Sequence, residues 1–246
     1  MINDKTILII GAKSDIALSV AHKFASEGYN LQLAARSSSE LELVSNDLQI
    51  RYQVDVSYHE LDVLDYVSFD TFLESLDVFP DIALCAVGVL GNQKDDEQSI
   101  INSSLIMRTN YEGPALLLGT IANEFEKRGK GSIVGISSVA GDRGRASNYI
   151  YGSAKAGFTA FLSGLRNRLA EHGVHVMTVL PGFVDTKMVE GMNLPAKLTA
   201  KPLKVAKTVF NSVQKNHNII YVKPIWRLIM MLIRNIPEKI FKMMKI

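Results

Sequence analysis

The sequence predicts an α/β fold: a doubly wound three-layer sandwich around a parallel sheet of about seven strands. Three observations carry this reading. Short apolar runs alternate with longer amphipathic segments along almost the whole chain. The runs are continuously apolar rather than alternating, which marks strands covered on both faces. The first run also passes through Gly11 directly into a helical pattern, the way such sheets begin.

The elements follow in order. Residues 5–10 form the first strand, and a helix follows over 15–27, closed by Gly28 just past its end. Residues 31–35 read as a second strand, and 38–49 as a helix capped by a serine cluster. A third strand covers 54–59 and ends before Leu61-Asp62-Val63; residues 66–76 are helical and 81–86 a buried strand. A long helix spans roughly 99–128, with an interruption near Gly113-Pro114. Residues 132–137 form a strand, 148–172 a helix ended by Gly173, and 174–180 a strand stopped by Pro181. A helix over 202–216 and a short strand over 219–222 complete the pattern. No repeat, low-complexity stretch or linker interrupts it, so residues 1–222 read as one domain and 223–246 as an appended tail.

Composition narrows the class. A chain of 246 residues is long enough for a substantial core. Apolar residues at 47% and charged residues at 21% describe an ordinary soluble globule. Cys85 is the only cysteine, so no intrachain disulfide forms, and a reducing, cytoplasmic compartment is expected. Its surroundings, Asp-Ile-Ala-Leu-Cys-Ala-Val, read as a buried strand, which makes Cys85 a packing residue. No basic-plus-apolar leader precedes Lys5, so no signal peptide is expected. His22, His59, His172, His175 and His217 lack zinc-like spacing, so no metal site is expected. At a formal net charge of +2, no nucleic-acid partner is expected either.

That small net charge is unevenly spread. The tail carries Lys223, Arg227, Arg234, Lys239, Lys242 and Lys245 against a single acid, Glu238. Residues 224–236 and 237–246 each read as a short helix, with Pro237 acceptable in a first turn. The longest uncharged run, residues 228–233, is far short of the roughly 20 residues that a bilayer span needs. A basic amphipathic tail with Trp226 and Phe241 fits lying in a membrane interface, with those rings and the 228–233 run buried in lipid. The other reading is a helical pair packed on the body or on a second subunit.

The candidate chemistry lies in Tyr151-Gly-Ser-Ala-Lys155, thirteen residues after Ser138. A spacing of four puts Tyr151 and Lys155 on one helix face, about 6 Å apart at Cβ. A phenol titrates near 10 and is a poor acid/base at neutral pH; an ammonium beside it is expected to lower that pKa and make it usable. A serine hydroxyl nearby could hold a carbonyl oxygen for protonation. Tyr149 is a decoy: it points to another face and has no lysine four residues on. The first strand leads into Gly11-Ala12-Lys13-Ser14-Asp15-Ile16-Ala17 and then a helix, where a doubly wound sheet holds a dinucleotide pyrophosphate over backbone N–H groups.

With these residues in this order, the chain resembles the short-chain dehydrogenase/reductase family over about residues 5–222, which implies a Rossmann-like fold. The resemblance implies that Gly11, Lys13, Ser14, Asp15 and Ile16 bind the cofactor. That family's loop reads Gly-x-x-x-Gly-x-Gly; here only Gly11 remains, and Asp15 and Ala17 stand at the second and third glycine positions. A carboxylate there is repelled by a pyrophosphate unless it turns away, and Asp15 is expected to do so by capping the helix. The alternative is weakened cofactor binding.

The second strand ends Ala34-Ala35-Arg36, with no acid to hold a ribose 2′-hydroxyl and an arginine suited to a 2′-phosphate, so NADP (NADPH) is the expected cofactor. Asp62 resembles the family's adenine-contacting aspartate, with Val63 beside it; a turn-forming aspartate is the other reading. Cys85-Ala86-Val87-Gly88 stands where the family usually shows Asn-Asn-Ala-Gly, so Ala86 and Gly88 border the cofactor and Ala86 lacks the asparagine's hydrogen bonds. The stretch Pro181-Gly182-Phe183-Val184-Asp185-Thr186 resembles the segment passing the nicotinamide carboxamide, which implicates Pro181, Gly182, Val184 and Thr186.

The implied catalytic set is Asn110, Ser138, Tyr151 and Lys155. Asn110 interrupts a helix and positions a water in a proton relay, Ser138 holds the substrate oxygen, Tyr151 donates the proton, and Lys155 lowers the tyrosine pKa and binds the ribose. The implied function is NADP-dependent reduction of a ketone to an alcohol. The tail and the Ala86-Val-Gly-x-Leu-Gly91 stretch resemble the branch that reduces polyprenyl-phosphate-linked keto-sugars. That implies a lipid-linked substrate and a location at the inner face of the membrane, with a homo-oligomer as the expected assembly. Reduction of another soluble or lipid carbonyl compound remains open, as does a non-catalytic dinucleotide-binding sensor or scaffold.

Overall fold

A computed structural model describes residues 5–244. Seven parallel strands form one sheet in the order β3-β2-β1-β4-β5-β6-β7. They are β1 (Thr6–Ile10), β2 (Asn30–Ala35), β3 (Val56–Glu60), β4 (Ile82–Cys85), β5 (Gly131–Ile136), β6 (Val174–Leu180) and β7 (Ile219–Tyr221). The order reverses between β1 and β4, and the carboxyl ends of the strands there open the crevice in which doubly wound sheets bind ligands.

Strand alternation divides the core in two. Ile7, Ile9, Leu31, Leu33, Leu84 and Val134 pack with α1 (Asp15–Ala25), α2 (Glu42–Tyr52) and α8 (Pro202–Gln214). Leu8, Ile10, Ala83, Cys85, Ile133 and Val176 point the other way, onto α3 (Phe69–Glu74), α6 (Gly113–Arg128) and α7 (Tyr149–Leu169). Both sets are almost fully buried, which is why the strands read as continuous apolar runs. Cys85 lies in the second core, and burial pushes its thiol up to about 11. It is a packing residue.

Two expected helices differ in detail. The segment read as one helix over 99–128 is α5 (Ile100–Met107), a π-helical turn (Arg108–Glu112) and α6, with the short α4 (Gln93–Asp96) ahead of it. The interruption lies in the turn before Gly113-Pro114 and contains Asn110. The serine cluster after β2 does not cap α2. Ser37 takes a left-handed conformation (φ +53°), and the N–H groups of Ser37 and Ser38 donate to the Glu60 carboxylate at 2.8 and 2.7 Å. Register places Glu60 opposite Ala35, so an acid from β3 reaches the loop that β2 itself leaves without one.

The tail helices are α9 (Ile225–Asn235) and α10 (Glu238–Phe241); Lys245 and the end of the expected second helix lie outside the described residues. The expectation that Trp226 is buried in lipid is corrected here. Trp226 and Met230 join Val139 and Leu180 in a third apolar cluster against the body, and Trp226 is only 4% exposed. Its ring meets Phe183 edge-on at 5.3 Å, and its Nε1–H donates to the Leu198 carbonyl at 3.1 Å. The Arg143 guanidinium donates to the carbonyls of Ile233 (2.6 Å) and Ile236 (2.7 Å), pairs with Glu238 (2.9 Å) and lies 3.6 Å over the Phe241 ring. It thereby satisfies carbonyls that the end of α9 leaves open. Leu228, Met231 and Leu232 on the opposite face remain exposed.

Candidate active site

A cleft of about 1040 Å³ opens along the carboxyl ends of the strands, from the loop after β1 to the tail. Of the residues that the sequence singles out, Lys13, Ser14, Asp15, Ile16, Ala86, Gly88, Ser138, Tyr151, Lys155, Pro181, Gly182, Val184 and Thr186 line it. Gly11, Arg36, Asp62, Val63 and Asn110 lie outside its wall.

The four candidate catalytic residues come from three elements. Asn110 sits in the π-helical turn, fully buried, and its Nδ2–H donates to the carbonyls of Val89 (2.7 Å) and Ile106 (2.9 Å). Its Oδ1 accepts from the Val89 N–H at 3.2 Å. The side chain thus ties the turn to the segment after β4. Ser138 follows β5, and its Oγ accepts from the Ala140 N–H at 3.1 Å. Ser137 turns away, to the Lys155 carbonyl (3.0 Å) and the Thr159 hydroxyl (2.6 Å). Tyr151 and Lys155 lie on the first turns of α7. Tyr149 is exposed and donates to Glu97 at 3.2 Å, away from the set.

Gly88 joins these groups. A Cβ there would come 2.9 Å from Asn110 Oδ1 and 3.4 Å from Lys155 Nζ, so any larger residue would displace the asparagine. Lys155 is 3% exposed, and its ammonium donates to the carbonyls of Ile136 (3.1 Å) and Val87 (3.3 Å). Its Nζ stands 5.9 Å from the Tyr151 ring centre. Burial draws the Lys155 pKa down to about 8. The expected lowering of the Tyr151 pKa by Lys155 is corrected: burial raises it, and the Ser138 hydroxyl is what pulls it down. The ammonium is directed at two backbone carbonyls instead of the phenol oxygen.

The loop after β1 suits a dinucleotide. Gly11 has φ +81°, and a Cβ there would press to 3.0 Å on the backbone of Val87. Ser14 is the N-cap of α1, accepting from the Ala17 N–H at 3.2 Å. The expected capping role of Asp15 is therefore corrected. Asp15 accepts from the Lys187 N–H at 2.8 Å, tying this loop to the short turn Lys187–Val189. Its carboxylate is held on that side, and the helix N-terminus keeps its remaining N–H groups for an anion. Lys13 pairs with Glu40 at 2.8 Å. Arg36 is exposed at the end of β2. Asp62 accepts from the Leu64 N–H at 2.9 Å and so forms a turn, while Val63 is buried, its carbonyl against Gly113. Thr186 donates to the Val184 carbonyl at 3.3 Å, and Val184 bridges to Ala200.

Three contributors are invisible to motif reading. Glu60 reaches Ser37 and Ser38 only through strand register. Trp226 forms a wall of the cleft, its indole so close to Gly182 that a Cβ there would lie 2.0 Å from Nε1. Arg145, in the loop before α7, also lines the cleft. No group of metal-ligating side chains occurs among the described residues.

The short chain dehydrogenase family model matches residues 5–196. The chain belongs to the short-chain dehydrogenase family. An uncharacterised oxidoreductase of Mycobacterium tuberculosis is 32% identical over 241 residues, 97% of this chain and 96% of the relative. An NADP-dependent 3-hydroxy acid dehydrogenase of Schizosaccharomyces pombe is 32% identical over 191 residues, 76% of this chain and 74% of the relative. Among solved structures, a short-chain dehydrogenase from Sphingobium yanoikuyae in complex with NADPH superposes with a TM-score of 0.79 at 22% identity, covering 95% of this chain and 97% of that one. This short-chain dehydrogenase fold puts the sheet reversal, the loop after β1 and the Ser138–Tyr151–Lys155 wall on one crevice.

Proposed function

We propose that this short-chain dehydrogenase is an NADPH-dependent reductase that converts a ketone to an alcohol in this cleft. The convergence of Ser138, Tyr151 and Lys155 on one wall, with Asn110 and Gly88 behind it, carries the reading. The bound cofactor supplies the hydride. Tyr151, kept a neutral phenol by burial, gives its proton to the developing alkoxide oxygen. Ser138 holds that oxygen, and its own Oγ is fixed by the Ala140 N–H. Lys155 holds a positive charge near the phenolate left behind, and Asn110 keeps the π-helical turn and the Gly88 segment in register.

Three features support NADP(H): Arg36 stands exposed at the end of β2, Lys13 lies in the loop after β1, and the S. pombe relative is named for that cofactor. Arg36→Ala is expected to lower the preference for NADPH over NADH by about ten- to a hundredfold, the worth of charge-assisted hydrogen bonds. Equal relative affinities in the variant, read by fluorescence titration, would count against the assignment. Reductase activity itself is tested by following NADPH consumption with a panel of ketones.

A lipid-linked keto-sugar substrate and peripheral contact with the inner face of the membrane form the finer reading. The cleft wall built by Trp226 supports it, as does the outer face of α9, where exposed Leu228, Met231 and Leu232 lie near Arg227 and Arg234. No helix among the described residues is long and apolar enough to cross a membrane. Self-association is supported by Ile100, Ile101, Leu105 and Leu116, exposed on α5 and α6.

A further inference from the structure

We propose that Arg145 is the anion-recognition residue of the cleft, so that the carbonyl substrate carries a negatively charged group, either a carboxylate or a phosphodiester. This rests on the reductase reading above and names the substrate class for that same site. Arg145 stands in the loop between the 3-10 turn Val139–Asp142 and α7, six residues before Tyr151, and lines the same cleft as Ser138 and Tyr151. Its Nε is enclosed by protein and has no hydrogen-bond partner, and no carboxylate among the described residues pairs with its guanidinium.

Two of the nearby acids are engaged elsewhere. Asp142 accepts the Tyr221 hydroxyl at 2.9 Å. Glu97 accepts from Tyr149 at 3.2 Å and from Gln93 at 3.3 Å. Asp96 is buried beside Gly91 on the same cleft, and its Oδ2 has no hydrogen-bond partner. In the same loop, the Asn148 Oδ1 is also buried without a partner, which marks this loop as a segment with unsatisfied polar groups. Much of the surrounding wall is apolar, including Leu90, Ile106, Ile150, Phe183, Met188 and Met192. A half-buried cation among such groups is costly unless an anion meets it. A guanidinium fork matches either a carboxylate or a phosphodiester through two parallel hydrogen bonds. Burial also lowers the Arg145 pKa, and the charge of nearby Asp142 offsets only part of that effect.

Trp226 is the sole tryptophan and lines the cleft, so its fluorescence reports occupancy without turnover. The full-length protein is titrated with octanoate and with dibutyl phosphate, each against its neutral counterpart, methyl octanoate and tributyl phosphate. At least one anion is expected to bind about ten- to a hundredfold tighter than its neutral counterpart. Preference for octanoate identifies a carboxylate substrate; preference for dibutyl phosphate identifies a phosphodiester such as a lipid-linked sugar carries. In Arg145→Gln the preference should collapse to about threefold or less, and Arg145→Lys, which keeps the charge but loses the fork, should retain part of it. Equal affinities for anion and neutral counterpart in the native protein, or a preference that survives Arg145→Gln, would overturn the proposal. Should Arg145→Gln fail to fold, Arg145→Lys decides: a preference undiminished there overturns the proposal. Because no step of the titration needs NADPH, charge preference and ketone reduction can fail independently.

Discussion

Lys155 directs its ammonium at the carbonyls of Ile136 and Val87, and burial sets its pKa at about 8, while burial moves Tyr151 the other way. Below pH 8 the pair is therefore ammonium and phenol, the state that can donate a proton and stabilise the phenolate left behind. The kcat/KM for ketone reduction is expected to fall as pH rises through about 8, measured by a steady-state pH profile. A profile flat to pH 10 would show that the Lys155 charge does not matter. The same shift has a stability consequence. Between the folded value of about 8 and the ordinary lysine value of 10.5, the unfolded chain binds more protons, so stability should rise with pH across that window. It is lost again as pH falls through about 8, and Lys155→Met should remove the slope in thermal melts. The Tyr-x-x-x-Lys pair was legible from spacing alone, but the direction of its lysine was not. Which carbonyls the ammonium meets depends on how β4 and β5 end.

At the scale of elements, α9 belongs to the body on one face and is bare on the other. Trp226→Ala should cost about 3–5 kcal/mol in chemical denaturation, as large aromatic truncations do in packed sites. A chain ending at Val222 would expose Val139, Leu180 and Phe183 and lose one wall of the cleft, so lower melting temperature and weakened ketone binding are expected together. Full-length protein sedimenting with anionic vesicles at low salt would support the membrane reading of the outer face; no sedimentation would remove it. The tail's basic and apolar pattern was legible, but an amphipathic helix does not say which apolar surface it meets. Asp15 taught the same lesson, since its partner Lys187 lies 172 residues away. Asp15→Ala should speed hydrogen exchange at the Lys187 amide, while unchanged protection would show the contact to be incidental.

For the whole molecule, the strands, helices and their buried faces follow from sequence because continuous apolar runs and helical periodicity are local properties. The candidate catalytic residues were legible for a related reason: Ser138, Asn110, Tyr151 and Lys155 each sit at a strand end or on a helix that the pattern locates. What required the fold was the closure between distant segments: Glu60 on the loop after β2, Asn110 on Val89, Trp226 over Gly182, and Arg145 facing the cleft. Everything proposed for this cleft depends on Tyr151 donating the proton in an NADPH-dependent ketone reduction. The most direct test pairs NADPH binding with ketone-dependent NADPH consumption in the native protein and in Tyr151→Phe. The variant is expected to bind NADPH within about twofold of native yet to reduce ketones about 10²–10⁴-fold more slowly, the usual worth of a positioned proton donor. A Tyr151→Phe protein that reduces ketones at the native rate would contradict it.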